Sequence, residues 1–224
     1  MARSGAQTRE KLLDAAEALI FDHGFSATSV DKVIARAGVT KGAFFHHFKS
    51  KAALGRAVIQ RHAEREMAQC DRIVARAERL AADPLQQVLI FVGLLLEDRE
   101  DLANPVPGSL FASYLYQRLE YPEEVAKTTA RTLAYWRDAM ARKLAEAAAV
   151  HPPQAEVVPD DLADALLAVL EGGYILSKAR SDPEIVRRQL RQFRSHLALL
   201  FGMDPGQASR AAPGPRREAP VRAR

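Results

Sequence analysis

Residues 28–51 read TSVDKVIARAGVTKGAFFHHFKSK, and this stretch decides the fold. Val30, Val33, Ile34 and Ala37 share one face of a short helix, about Ser29 to Ala37. Thr28 and Asp31 have capping-box spacing, with Asp in place of the usual Glu or Gln. Gly38-Val39 breaks the helix, and Thr40 can cap a further short one, Lys41 to His47. Ser50 can cap the next, which starts at Lys51 and carries Leu54, Val58 and Ile59. Two short helices joined by a tight glycine-containing turn make a helix-turn-helix, whose second helix is the candidate reader of a DNA major groove.

Upstream, Leu12, Leu13, Ala16, Leu19 and Ile20 lie on one helical face, predicting a bracing helix from Thr8 to His23 that Gly24 stops. Downstream, the text reads as helix throughout. The helix from Lys51 runs to Leu80. Others cover Leu85–Glu100, Ser109–Glu120, Pro122–Ala149, Asp160–Arg180 and Asp182–Phe201, the last capped by Ser181 or Asp182. Breaks fall at 104–108 and around His151-Pro152-Pro153. After Gly202 no apolar period remains, so 203–224 reads as a disordered basic tail.

The 224 residues are 48% apolar and only 7% aromatic, with alanine abundant, which favours an all-α chain with a substantial core. This composition excludes disordered, collagen-like and disulfide-stapled chains. Cys70 is the single cysteine and suits a reducing cytoplasm. Arg3, Arg9, Glu10 and Lys11 precede Asp14, so the start offers no apolar signal core. The most apolar uncharged stretch, Pro84–Leu96, is too short for a spanning helix, which needs about 20 residues.

The net charge of +4 is unevenly spread. Residues 1–62 carry +5, residues 63–202 carry −4 and residues 203–224 carry +3. A basic head on an acidic body is one footprint of a polyanion site.

With these residues in view, 8–61 resembles the DNA-binding domain of the TetR family of transcriptional regulators. Gly24, Thr28, Ala37-Gly38-Val39, Gly42, Phe48 and Lys51 stand where the family pattern expects them. The resemblance implies an all-helical homodimer with a three-helix DNA-binding head and a larger body that binds a small molecule and dimerises. It divides the chain into a helix-turn-helix domain (1–50), a ligand-binding and dimerisation domain (51–202) and the tail (203–224).

Carried onto these positions, the resemblance places Thr40, Lys41 and Gly42 at the end of the reading helix that reaches base edges. Lys41 can donate to guanine O6/N7, and Gly42 lets the backbone approach DNA closely. Phe45 stands where the family most often has Tyr, so a phenol–phosphate bond is absent, while contact with a sugar or thymine methyl stays open. His47 faces phosphates in the family pattern, and His46 is given a rim role. Thr28, Ser29 and Lys51 are expected to hold the DNA backbone. Phe44 and Phe48 read as core.

For the body, the resemblance implies a largely apolar ligand pocket among the middle helices, for which Met67, Cys70, Phe91, Phe111, Tyr114 and Trp136 are candidates. Each also fits plain core, and Cys70 fits a buried, inert thiol. His62, Glu66 and Cys70 lie on one helical face and are metal-ligand types, but no further cluster supports a metal, and none is expected. No cofactor is implied. Leu166–Ser177 and Leu190–Leu200 are the expected dimer helices, with Leu170, Gly173, Tyr174, Leu190, Phe193, Leu197 and Leu200 across the interface.

The leading reading is a repressor that binds a palindromic operator as a dimer and is released by a small-molecule effector. An enzyme is not expected, since nucleophile-elbow, P-loop, dinucleotide and zincin motifs are absent. A low-specificity architectural DNA binder that relies on the basic tail is the alternative.

Overall fold

The computed structural model describes residues 2–98, 109–111 and 123–203. Among them stand eight α-helices and no strand: α1 (Ala2–His23), α2 (Val30–Ala37), α3 (Lys41–His47), α4 (Lys51–Leu80), α5 (Pro84–Asp98), α6 (Glu123–Val150), α7 (Pro159–Arg180) and α8 (Glu184–Leu200). None of these helices is long and apolar enough to cross a membrane. The expected helix over 109–120 falls mostly outside the described residues, as do Tyr114 and residues 204–224 of the expected tail.

The short head helices begin on side-chain caps. Thr40 Oγ1 accepts from Ala43 N at 3.2 Å, and Ser50 Oγ accepts from Ala53 N at 3.1 Å. At α2 the structure corrects the expected capping box. Ser29, not Thr28, is the cap and accepts from Lys32 N at 3.2 Å. Thr28 is buried, and its hydroxyl donates to the Gly24 carbonyl at 2.8 Å. α2 ends on Gly38, whose φ of 63° is left-handed. Its N–H and that of Val39 return to the carbonyls of Ala35 and Ile34, completing the tight turn into α3.

Other ends also differ. α1 runs back to Ala2 rather than starting at Thr8, since residues 2–7 hold no proline and Ala2, Arg3, Ala6 and Gln7 favour helix over the cost of Gly5. Neither Ser181 nor Asp182 occupies the α8 cap position, which is Pro183. Ser181 instead closes α7 with a φ of 51°, and Asp182 Oδ1 accepts from Glu184 N at 3.0 Å.

The buried side chains form two clusters. The head cluster joins Leu12, Leu13, Leu19 and Ile20 of α1 to Val33, Phe44, Phe48, Leu54, Val58 and Ile59. It also takes in Leu110, Phe111 and Val125 from the body segment of the chain. The body cluster centres on α5, which is buried along Val88–Val92 and again at Leu94 and Leu95 and packs against α4, α6 and α8. α4 belongs to both clusters, with Leu54–Ile59 in the first and Cys70–Ala77 in the second.

Candidate functional site

The reading head owes its shape to an inside–outside division of α3. Phe44 is fully buried and Phe48 nearly so, and burial of each such ring contributes about 1.5–3 kcal/mol to holding α3 on α1 and α4. On the opposite face Lys41, Gly42, Phe45 and His46 are exposed. Thr40 is exposed too, though its hydroxyl is committed to the cap. Among the described residues the Lys41 ammonium has no hydrogen-bond or ion-pair partner. A Cβ built on Gly42 would meet nothing closer than Thr40 Oγ1 at 4.0 Å, so protein packing does not require glycine there. Phe45 presents 41% of its surface to solvent, an apolar face beside a cation. His47 is half-buried, its ring edge-on to His46 at 5.0 Å.

Two of the expected backbone-holding residues work within the protein. Thr28 is buried on Gly24, so its hydroxyl is not at the surface. Lys51 Nζ donates to Ser26 O at 3.1 Å and stands 4.4 Å from the Phe25 ring centre, tying the start of α4 to the α1–α2 turn. Ser29 is exposed at the α2 N-terminus.

The head is clamped to α4 by charges that the sequence reading did not assemble. Arg61 reaches Glu10 at 2.9 Å, Asp14 at 2.8 Å and Glu17 at 2.7 Å, three carboxylates on successive turns of α1. Arg65 also bonds Glu17, and His62 Nδ1 lies 3.5 Å from the same carboxylate. Burial pushes the Glu17 carboxyl up, but the His62 bond, the Arg65 charge and the Arg61 bond outweigh it and hold the group at about 2. The signal was legible: acids at 10, 14 and 17 make one stripe, matched by Arg61 and Arg65 on one face of α4.

His62 also touches the body. Its ring sits 4.9 Å from that of Phe111 and 6.1 Å from that of Phe21, both edge-on. Phe111 therefore belongs to the head cluster and does not join the other pocket candidates, which corrects its expected place. Phe91 and Trp136 do meet, edge-on at 6.1 Å in the body cluster, with buried Cys70 in the same cluster. Burial and the Asp71 charge push the Cys70 thiol up to about 12, so it stays protonated and unreactive at neutral pH. Met67 is half-buried one turn earlier on α4. Two open grooves run along α4, about 620 Å³ beside α5 and about 500 Å³ beside α1, and none of these candidates lines either. Among the described residues no group of three or more His, Cys, Asp or Glu could hold a metal ion.

Sequence reasoning missed Thr129. It is fully buried on α6, two turns before Trp136, and its hydroxyl has no hydrogen-bond partner. The Trp136 Nε1–H is likewise buried and unpartnered.

The expected dimer residues need correction. Leu170, Leu190, Phe193 and Leu197 are all buried inside the subunit's own cluster, because α7 and α8 pack on each other and α8 on α5. Gly173 serves the same packing. A Cβ there would stand 3.2 Å from Val186 Cα, so the close helix approach is within one subunit. Tyr174 and Leu200 pack partly buried against the same cluster. Outside it, Ile175, Leu176 and Leu199 are about half exposed, and a Cβ on Gly172 would meet nothing within 4 Å.

This geometry can be set beside known proteins. The family model described as "Bacterial regulatory proteins, tetR family" matches residues 12–58, which take in most of α1, all of α2 and α3 with the turn between them, and the start of α4. A solved regulatory protein TetR from Rhodobacter sphaeroides superposes with a TM-score of 0.68 at 25% identity, over 84% of this chain and 97% of that one. Over residues 12–58 the chain resembles the TetR family, and its fold is that of the solved regulator. The transcriptional repressor DhaR of Mycobacterium sp. (strain GP1) is 23% identical over 79% of this chain and 85% of its own. The repressor NemR of Escherichia coli K12 is 42% identical, but over only 25% of this chain and 28% of its own. Likeness to these regulators is thus higher over a short stretch than over the whole chain. The proteins it resembles are transcriptional regulators.

Proposed function

We propose that the protein is a cytoplasmic repressor that binds a palindromic DNA operator as a homodimer and is released by a small-molecule effector. It acts by binding, without catalysis or cofactor. The observation that carries the reading is the shared core between head and body. Phe111, Leu110 and Val125 are buried in the same cluster as Phe44 and Phe48. A shift of these body residues by an effector therefore acts on the seat of α3, and the spacing of two α3 helices in a dimer decides whether both reach successive grooves, about 34–36 Å apart. In this reading Lys41 and Gly42 meet base edges, Phe45 meets sugar or thymine methyl, Ser29 and His47 meet phosphates, and His46 lies at the rim. Residues 1–50 supply the reading surface, 51–202 the effector and dimer functions.

The half-exposed Ile175, Leu176 and Leu199 with the open Gly172 support a dimer face on the outer side of α7 and α8. Two helices from each of two subunits would make a four-helix bundle there.

Selection from random duplexes at physiological salt, followed by footprinting, tests the reading. The expected product is a two-fold symmetric site protected on one face. Binding with a steep salt slope and no enriched sequence would favour the architectural alternative and overturn this one.

A further inference from the structure

We infer that the effector is an uncharged, mainly apolar molecule that accepts hydrogen bonds from Trp136 Nε1–H and the Thr129 hydroxyl. This deepens the effector half of the proposed function and rests on it. Buried polar groups in folded proteins nearly always have partners, so each exception needs a cause. Here two fall on one face of α6. Thr129 is fully buried and Trp136 is 6% exposed, and neither side-chain polar atom has a partner. Thr132, on the same helix, shows the ordinary solution: its hydroxyl donates to the Thr128 carbonyl at 2.9 Å. Thr129 does not make the equivalent bond.

Seven residues separate Thr129 from Trp136, two turns on one face and about 10.5 Å along the axis. The indole N–H is a donor only, and the hydroxyl donates or accepts, so the complement is an acceptor at each end of an apolar span. The surroundings choose between neutral and charged ligands. Phe91 packs edge-on against Trp136, and Cys70, Leu95 and Met140 share the same buried cluster. The ion pairs of α6 are closed on themselves: Lys127 with Glu123, both exposed, Arg137 with Asp138, Asp160 and Asp164, and Lys143 with Glu78 and Glu146. Arg194, the other buried cation of the body, lies against Gly93 and is itself partnered. Gly93 is two residues from Phe91 and so points about 200° away around α5. A charged ligand would lose its hydration without a counter-charge, whereas a carbonyl or ether oxygen would satisfy groups that otherwise stay unbonded.

The test uses three probes of matched length on the full-length protein without DNA: 2,9-decanedione, decanedioate and 1,10-diaminodecane. Calorimetry reads binding. Trp136 is the only tryptophan, so its emission reports the same event. The diketone is expected to bind at least tenfold more tightly than either ion. Thr129→Val and Trp136→Phe are each expected to weaken it by about tenfold, the worth of one hydrogen bond. Thr129→Val keeps the shape and removes an unbonded hydroxyl, so its Tm without ligand should rise by a few degrees. Equal binding of an ion, insensitivity to both substitutions, or no diketone binding at about 5 mM would each overturn the inference. Release of selected operator DNA is read separately by gel shift. Diketone binding that leaves DNA bound supports the chemistry of the site and refutes its role as effector site. Release by a charged compound whose binding ignores both substitutions refutes the inference and leaves the repressor reading standing.

Discussion

Glu17 offers the most direct test of how the head is held. Replacing it by Gln keeps the size of the side chain and removes the charge that Arg61, Arg65 and His62 share. Its carboxyl titrates at about 2 in the folded protein against an ordinary 4.5. That difference corresponds to about 3 kcal/mol in favour of folding when the group is ionised. The sign follows from a depressed folded value: the contribution is fully present above about pH 4.5 and disappears as the pH falls through about 2. Urea unfolding followed by far-UV circular dichroism, at fixed protomer concentration, measures it. At neutral pH Glu17→Gln is expected to lose roughly 1–3 kcal/mol, the remainder being offset by the contacts of Arg61 with Glu10 and Asp14. Between about pH 5 and pH 2 the wild type should lose about 3 kcal/mol more than the variant, since other carboxylates titrate in both. Parallel losses across that window would refute the reasoning, because Glu17 would then not be the ionised centre of the clamp.

Three further outcomes are expected. Lys41→Ala should weaken operator binding by about 1–3 kcal/mol, read by fluorescence anisotropy, with helicity unchanged; an unaltered Kd would remove Lys41 from the DNA contacts. Native Cys70 should resist iodoacetamide at neutral pH and react only after unfolding, because its thiol is buried and titrates at about 12; rapid native labelling would contradict that. Gly173→Ala should lower stability by about 1–3 kcal/mol through Val186 while leaving the oligomer intact, whereas Leu176→Glu should yield monomers in light scattering; the reverse pattern would return Gly173 to a subunit interface.

Much of the head was legible because its determinants are local. The spacing of Val30, Val33, Ile34 and Ala37, the caps Thr40 and Ser50, and the break at Gly38 act within a few residues, and the structure repeats them. One local error, Thr28 for Ser29, arose because both are cap-forming residues and only burial of Thr28 against Gly24 tells them apart. The body was harder for the same reason inverted. α7 is apolar on more than one side, with Ile175 and Leu176 facing outward, and α8 carries one apolar stripe that periodicity finds but cannot assign to its own subunit or to a partner. Leu190, Phe193 and Leu197 were accordingly assigned to a partner when they fill their own subunit.

By itself, the sequence determined an all-helical chain with a helix-turn-helix near its start, because helix propensity, capping and glycine breaks are settled by neighbours along the chain. It also determined which residues carry charge on α1 and α4. Only the tertiary structure decided what those residues meet. It closed Glu10, Asp14 and Glu17 on Arg61, moved Phe111 from the pocket to the head, turned Gly173 inward, and left Thr129 and Trp136 buried without partners. These are contacts between residues tens of positions apart, set by how helix faces pack rather than by any local preference.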